Sequence, residues 1–152
     1  MASLTFFVPS TRLDSKGRLL PLPGRNELEN TARTNRQKAG KEKKDETERV
    51  KEICEAAMAE HGWEMPPDGV RVEVTLLWSE MYGPDVKNRC RDQDNITAYQ
   101  KPLLDGIVKA GAIAGDGPAY IKGFSKNYLR YDRQNPGVLV TLETVAEIGE
   151  QA

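Results

Sequence analysis

The sequence predicts one α+β domain, a small mixed β-sheet with two main helices packed on one face. Three patterns support this class: short stretches with apolar residues at alternate positions, two stretches with apolar residues at helical spacing, and turn signals between them. The predicted order is strand, helix, strand, helix, strand, strand. The chain of 152 residues has the length of one domain with a single core, and it contains no internal repeat or dividing linker. Residues 1–152 are therefore predicted to form one domain.

The N-terminal part combines a short strand with a long loop. Leu4–Val8 is a β-prone run that ends at Pro9. Residues from Ser10 to about Gln37 are rich in Pro, Gly, Asn and Arg and show no periodicity, so we interpret them as a loop with a short strand at Gly17–Leu20. Loops of this length in small domains are usually functional or mobile.

A helix and a strand follow. Glu42–His61 is the predicted helix, and Gly62 supplies its C-terminal stop. Val70–Trp78 is the predicted strand, because every second residue from Val70 to Leu76 is apolar. We assign both tryptophans, Trp63 and Trp78, to the core. One apolar stripe along the helix is formed by Val50, Ile53, Cys54, Ala57 and Met58.

The second half of the chain predicts one more helix and two more strands. Pro102–Ala110 is the helix, because Pro suits the first helical turn and an apolar face follows it. Ile96–Gln100 is interpreted as a separate turn, since the residue before a proline resists the α-helical region. Ala119–Tyr131 and Val138–Glu143 are the strands, and we expect them to form a hairpin through the turn at residues 134–137.

Charge is distributed unevenly along the chain. The net charge of −1 and the pI of about 5.9 do not by themselves indicate a nucleic-acid-binding protein. Arg33–Lys44 is nevertheless strongly basic, and a second basic group between Lys122 and Arg133 alternates with aromatic residues. Such clusters either bind phosphates or form a solvated face. The candidate DNA contacts are Arg33, Arg36, Lys38, Lys41, Lys43 and, further along the chain, Arg91.

The cysteine and histidine counts exclude several kinds of site. Cys54 and Cys90 are the only cysteines and form no C-x-x-C pattern, which argues against a disulfide framework or a cysteine zinc site and fits a reducing compartment. His61 is the only histidine, which excludes a multi-histidine metal site within one chain. No apolar run approaches a membrane span, and the N-terminus lacks a signal-peptide pattern, so we expect a cytoplasmic protein with no membrane partner.

Arg91–Asn95 (RDQDN) is the most informative short stretch, because Asp92 and Asp94 stand two residues apart and repel each other. The ordinary interpretation is a turn or a helix N-cap, which Asp and Asn both favour. A calcium-binding EF-hand loop is excluded, since its turn glycine and its bidentate glutamate would fall on Thr97 and Leu103.

The other interpretation is a divalent-metal site for phosphodiester chemistry. If the segment is extended, Asp92 and Asp94 project to the same side, and Asp116 lies in a glycine-flanked turn that can present a third carboxylate. Three carboxylates about 5 Å apart repel by roughly 3 kcal/mol per pair at an effective dielectric near 20, so they need a cation or a proton. Mg²⁺ fits best because it takes oxygen ligands, few of them from protein, and Mn²⁺ is expected to substitute.

The motifs also carry a family resemblance. D-x-D-N at Asp92–Asn95, Lys101 with Asp105 four residues later, and the AGAIAGD run that ends at Asp116 resemble the RusA family of Holliday-junction resolvases. The resemblance extends more weakly to an N-terminal strand that ends in Val-Pro and to the basic stretch ahead of the motif. This chain has extra residues within Ile96–Gln100, and we expect them to bulge outward and leave Lys101 facing the carboxylates.

The resemblance implies a homodimeric, Mg²⁺-dependent endonuclease that cuts symmetric strands of four-way DNA junctions in recombination and repair. Two alternatives stay open: a metal-dependent nuclease for other branched DNA, and a DNA-binding module whose acids only organise turns. Tyr120, Tyr128 and Tyr131 are candidates either for stacking on exposed bases or for packing. Carried over by position, the catalytic metal ligands are Asp92, Asp94 and Asp116, the catalytic lysine is Lys101, Asn95 supports Asp94, and Asp105 either holds Lys101 or is an acid at a helix start.

Overall fold

The computed structural model describes residues 2–25 and 36–145, with side chains at 2–25 and 40–145. It confirms the predicted α+β class and the order of the elements: a four-stranded mixed sheet is packed against two main helices. The strands are β1 (Ser3–Pro9), β2 (Val72–Glu80), β3 (Ile121–Tyr131) and β4 (Gly137–Thr144); the helices are α1 (Arg36–His61), the single-turn α2 (Gln93–Ile96) and α3 (Gln100–Lys109), with a 3₁₀ turn at Thr97–Tyr99 between the last two.

The strands lie in the spatial order β1, β4, β2, β3. β2 and β3 are parallel, and β4 is antiparallel to both β1 and β2. The predicted β3–β4 hairpin is therefore wrong, because β2 lies between these two strands. The polarity of the strands accounts for the arrangement: β4 is mostly buried and takes a central place, whereas β3 is mostly exposed and takes an edge. The residues between β2 and β3 supply the helical crossover that a parallel pair requires.

The core lies between the sheet and the helices. Alternate residues of β2 from Val72 to Trp78 are fully buried, as the period of two predicts. Both tryptophans are buried as predicted, and each indole N–H has a partner: Trp63 Nε1 donates to the Ala112 carbonyl (3.0 Å) and Trp78 Nε1 to Asn127 Oδ1 (2.6 Å). The core thus reaches from the end of α1 to the edge strand.

The two main helices cross at a glycine. A Cβ atom on Gly106 would lie 2.6 Å from the Cβ of Val50, so only glycine permits this approach of α3 to α1. Val50 and Cys54, from the predicted apolar stripe, are fully buried. α1 begins at Arg36, six residues before its predicted start, because the polar first turns carry no apolar period from which a start can be read.

The loop after β1 is tied to itself by hydrogen bonds. Asp14 accepts backbone N–H groups from Lys16 (2.8 Å) and Arg18 (2.9 Å), and these bonds lower the pKa of its carboxyl group. The predicted short strand at Gly17–Leu20 is reduced to a single bridge between Leu13 and Leu19. Among the described residues, no helix combines the length and the apolar character needed to cross a membrane.

Candidate functional site

The RDQDN stretch begins a helix. Asp92 is the N-cap residue of α2, with extended dihedral angles (φ −69°, ψ 153°), and its carbonyl accepts the N–H groups of Asn95 and Ile96. Asp94 lies in the first turn of that helix, so the assumption that both aspartates lie on an extended segment is wrong. The side chain of Asp92 makes no capping hydrogen bond, and both carboxylates are exposed. The backbone at Asp92 is therefore that of a helix N-cap, one of the two ordinary alternatives, and both carboxylates stay accessible to solvent.

Two contacts hold this stretch against the sheet. The Arg91 guanidinium donates two hydrogen bonds to Glu80, at 2.8 and 2.7 Å, and so attaches the stretch to the end of β2. Gln93 Nε2 donates to the Asn127 carbonyl of β3 at 3.3 Å. The predicted metal ligands Asp92 and Asp94 therefore lie beside the edge strand.

The extra residues before Lys101 do not bulge outward, which corrects the expectation from the sequence. Only Thr97–Tyr99 form a 3₁₀ turn, and Ile96 and Tyr99 are buried in the core. Gln100 and Lys101 already belong to α3, so the expectation that the residue before Pro102 is not helical is wrong. The Tyr99 hydroxyl donates to Glu46 (2.7 Å) and accepts from Arg49 (3.5 Å). Burial, with a further contribution from Glu46, raises the pKa of Tyr99. The apolar side chains favour an inward turn because burial removes them from water.

Lys101 lies beside two of the predicted site carboxylates. Its ammonium is 3.0 Å from Asp105 Oδ1 and 3.9 Å from Asp116 Oδ2. The hydrogen bond to Asp105 is the main cause of the raised pKa of Lys101, with a smaller contribution from Asp116. Gly115 in the turn that presents Asp116 packs under the Tyr120 ring, which a Cβ at this position would displace because it would lie 2.7 Å from the ring. The ammonium of Lys101 is thus held by Asp105, with Asp116 nearby, at the edge of the candidate site.

An open groove of about 370 Å³ passes along this cluster, between the first half of α1 and α3. Four lysines and two aspartates line it, so its charge is positive overall. Lys44 and Lys109 are two of these lysines that the sequence analysis did not single out: Lys44 belongs to the basic stretch, and Lys109 follows Lys101 by two helical turns. The lining consists of Lys43, Lys44, Thr47, Lys101, Asp105, Val108, Lys109, Gly115 and Asp116.

The predicted carboxylates do not form one cluster. Within residues 2–25 and 36–145, no three His, Cys, Asp or Glu side chains lie close enough to share a metal ion. Two of the three predicted ligands instead lie near cations: Asp94 is 3.5 Å from Arg25, and Asp116 is 3.9 Å from Lys101. Mutual repulsion favours this separation. Their oxygen donors and their exposure suit a hard cation such as Mg²⁺.

The candidate DNA contacts divide into three groups. Lys41 and Lys43 are exposed on α1. Arg91 is instead largely buried against Glu80, a carboxylate that the sequence analysis did not identify because its partner is distant in sequence. Arg33 lies outside the described residues, and Arg36 and Lys38 are described only as backbone of the first turn of α1.

Asn95, the residue predicted to support Asp94, is half-buried within α2.

No model of a known protein family matches this sequence, and no curated protein matches it.

Proposed function

We propose that the protein is a Mg²⁺-dependent, structure-selective endodeoxyribonuclease that resolves four-way DNA junctions by paired phosphodiester cleavage. The observation that carries this proposal is the position of Lys101, an exposed ammonium held between Asp105 and Asp116. An ammonium beside a carboxylate that can bind a metal ion is suited to contact a phosphate as a point charge.

In this proposal the metal ligands are Asp92, Asp94 and Asp116, whose accessible carboxylate oxygens are the ligand type that Mg²⁺ prefers. They do not form one cluster in this structure, so binding one ion would have to draw them together. When bound, the ion would lower the pKa of a water molecule and stabilise charge on the phosphate. Lys101 has a raised pKa and therefore stays charged at neutral pH, where it can neutralise the scissile phosphate or the leaving oxygen. Asp105 would hold the ammonium in place through its 3.0 Å contact.

The groove beside Lys101 would carry the DNA backbone toward the carboxylates. Lys43 and Lys44 project from α1 and Lys109 from α3, so cations line both sides of the groove. Local charge explains how a chain with a net charge of −1 can bind a polyanion. Because the substrate is DNA and both cysteines are free thiols, we place the protein in the cytoplasm.

The decisive experiment compares cleavage of a labelled four-way junction with cleavage of a linear duplex, with and without Mg²⁺. Asp92→Asn, Asp94→Asn and Asp116→Asn should each abolish cleavage and leave DNA binding largely intact, because each change removes a metal ligand and keeps the side-chain shape. Stability should change by less than about 1 kcal/mol, since the ion pairs of Asp94 and Asp116 are solvent-accessible surface pairs. Asp68→Asn, at an exposed aspartate between α1 and β2, is the matched control.

Each alternative outcome has a distinct meaning. A variant that retains near-parental cleavage removes its aspartate from the site. Preferential cleavage of flaps or forks indicates a nuclease for other branched DNA. Junction binding without cleavage in Mg²⁺ or Mn²⁺ indicates a DNA-binding module.

The proposed reaction also requires a homodimer. A four-way junction has approximate two-fold symmetry, so paired cuts need two active sites related by a two-fold axis. Sedimentation at micromolar concentration should give the mass of two chains. A monomer that still makes paired cuts would contradict this prediction.

A further inference from the structure

The edge strand β3 concentrates exposed aromatic side chains. Of the six large hydrophobic side chains that are exposed among the described residues, four lie on β3 or directly before it. Tyr128 is the most exposed of these four, with 55% of its surface accessible. Exposed aromatic residues so close together in sequence need an explanation other than core packing. The four are Tyr120, Phe124, Tyr128 and Tyr131.

The same segment is basic. From Lys122 to Arg133 it carries four cationic side chains and one acid, Asp132. The Asp132 carboxylate accepts the backbone N–H groups of Gln134 and Asn135, and these bonds lower its pKa. The acid therefore forms a turn at the strand end. The four cations are Lys122, Lys126, Arg130 and Arg133.

Three of these side chains form a row on one face of the sheet. The register pairs Lys126, Tyr128 and Arg130 with Thr75, Leu77 and Ser79 of β2, which alternate along the strand with the core residues Val74, Leu76 and Trp78, although Ser79 is itself buried. The row therefore lies on the sheet face opposite the helices. The Lys126 ammonium lies 5.9 Å from the centroid of the Tyr128 ring, and Arg130 Nε donates to the Ser79 hydroxyl.

A second group of rings and cations lies just beyond the carboxyl ends of β2 and β3, which meet at one edge because the strands are parallel. There the Tyr82 ring has two arginine neighbours, with the guanidinium carbons of Arg89 at 5.3 Å and Arg133 at 5.0 Å from its centroid. Rings and cations thus lie together both on β3 and just past its end.

We propose that this surface, called here the β3 strip and formed by Lys126, Tyr128, Arg130, Tyr82 and Arg133, binds an unpaired nucleic-acid strand. Tyr128 stacks on a base, and the cations contact the phosphates on either side. Surfaces that combine aromatic platforms with positive charge suit single strands, because every base has a flat face and every nucleotide a negative charge. This binding requires neither a metal ion nor cleavage.

Charge selects this occupant over a second copy of the chain. A two-fold interface at the β3 strip would place cations against identical cations, which is unfavourable. A nucleic-acid strand instead neutralises them. Asp92 and Asp94 lie beside the same edge strand, because Gln93 between them contacts the backbone of β3.

The test is fluorescence anisotropy of a fluorescein-labelled oligothymidylate with the full-length protein in EDTA. Tyr128→Ala should weaken binding about tenfold, in line with the loss of one stacked base, and Tyr128→Phe should bind as the parent does. Lys126→Gln should reduce the slope of log K against log salt by about 0.7, the value for one phosphate contact on a single strand. Met65→Ala, at an exposed side chain between α1 and β2, and Lys51→Gln, at a helical lysine paired with Glu55, are the controls.

Parental affinity of Tyr128→Ala, or an equal loss in Met65→Ala, would overturn the proposal. A change in sedimentation of Tyr128→Ala with unchanged oligothymidylate binding would identify the strip as a protein interface instead, and would also overturn it. Junction cleavage tests the proposed function separately. If Tyr128→Ala loses oligothymidylate binding but still cleaves four-way junctions, the β3 strip is a single-strand site distinct from the cleavage site. If the parent protein binds oligothymidylate but cleaves no DNA, the proposal for the β3 strip stands and the proposed nuclease function fails.

Discussion

Two ion pairs flank the short helix α2, and they differ in burial. Arg91 and Glu80 form a two-bond pair in which only 12% and 6% of the side-chain surfaces are exposed. Lys101 and Asp105 form a single contact at 3.0 Å, with 74% and 39% exposed. Both pairs join a cation to a carboxylate near the proposed site, yet solvent access gives them different tasks.

The buried pair acts on the fold. Breaking such a pair typically costs about 3–5 kcal/mol, because the remaining charge stays out of water. Exposed pairs contribute about 0–1 kcal/mol. Arg91 therefore attaches the RDQDN stretch to β2, whereas Lys101 is available to a ligand at little cost in stability. Proximity to a candidate site does not by itself make a charged residue functional.

The largest expected effect is on the buried pair. Glu80→Ala removes the carboxylate opposite the buried Arg91 guanidinium and should lower the free energy of unfolding by about 3–5 kcal/mol. Urea unfolding measures it, and Glu143→Ala, at an exposed glutamate of β4, is the control. A loss below about 1 kcal/mol would place the Glu80 pair with ordinary surface pairs.

The exposed pair should show the opposite pattern. Lys101→Ala should lower the rate of junction cleavage by a factor on the order of 10²–10³, as when one group that stabilises transition-state charge is lost, and should change stability by less than about 1 kcal/mol. Lys101→Arg should recover part of the rate, because a guanidinium keeps the charge with a different shape.

Lys51→Ala provides the matched control for this variant, since Lys51 forms an exposed contact with Glu55 at the same helical spacing. Its cleavage rate should equal that of the parent. If Lys101→Ala also cuts junctions at the parental rate, Lys101 is not the catalytic lysine, and the exposed Lys87 and Arg89 become the candidates.

The smallest effect is a dependence on alkaline pH. Folding raises the pKa of Lys101 above its ordinary value of 10.5, mainly through the hydrogen bond to Asp105. The stabilisation is therefore complete below pH 10.5 and is lost as the pH rises through the folded-state pKa. The difference in Tm between the parent and Lys101→Met should be constant near neutral pH and should shrink above about pH 10.5. A difference that grows with pH would contradict the assigned cause.

Local patterns in the sequence predicted the elements and part of the site. Alternation from Val72 to Trp78 and the apolar stripe of α1 are properties of neighbouring residues, so both elements could be read directly. The contact between Lys101 and Asp105 was expected from the family resemblance, and it forms because Lys101 is helical and residues four apart meet on a helix.

Only the tertiary structure decided which distant segments meet. The central place of β4 and the burial of Tyr99 against Glu46 each join residues that are far apart in sequence. The pairing of Arg91 with Glu80 joins two different elements, so no spacing within one element predicts it. Period and spacing describe a residue's own element, whereas partners and burial follow from the free energy of packing the whole core, to which every element contributes.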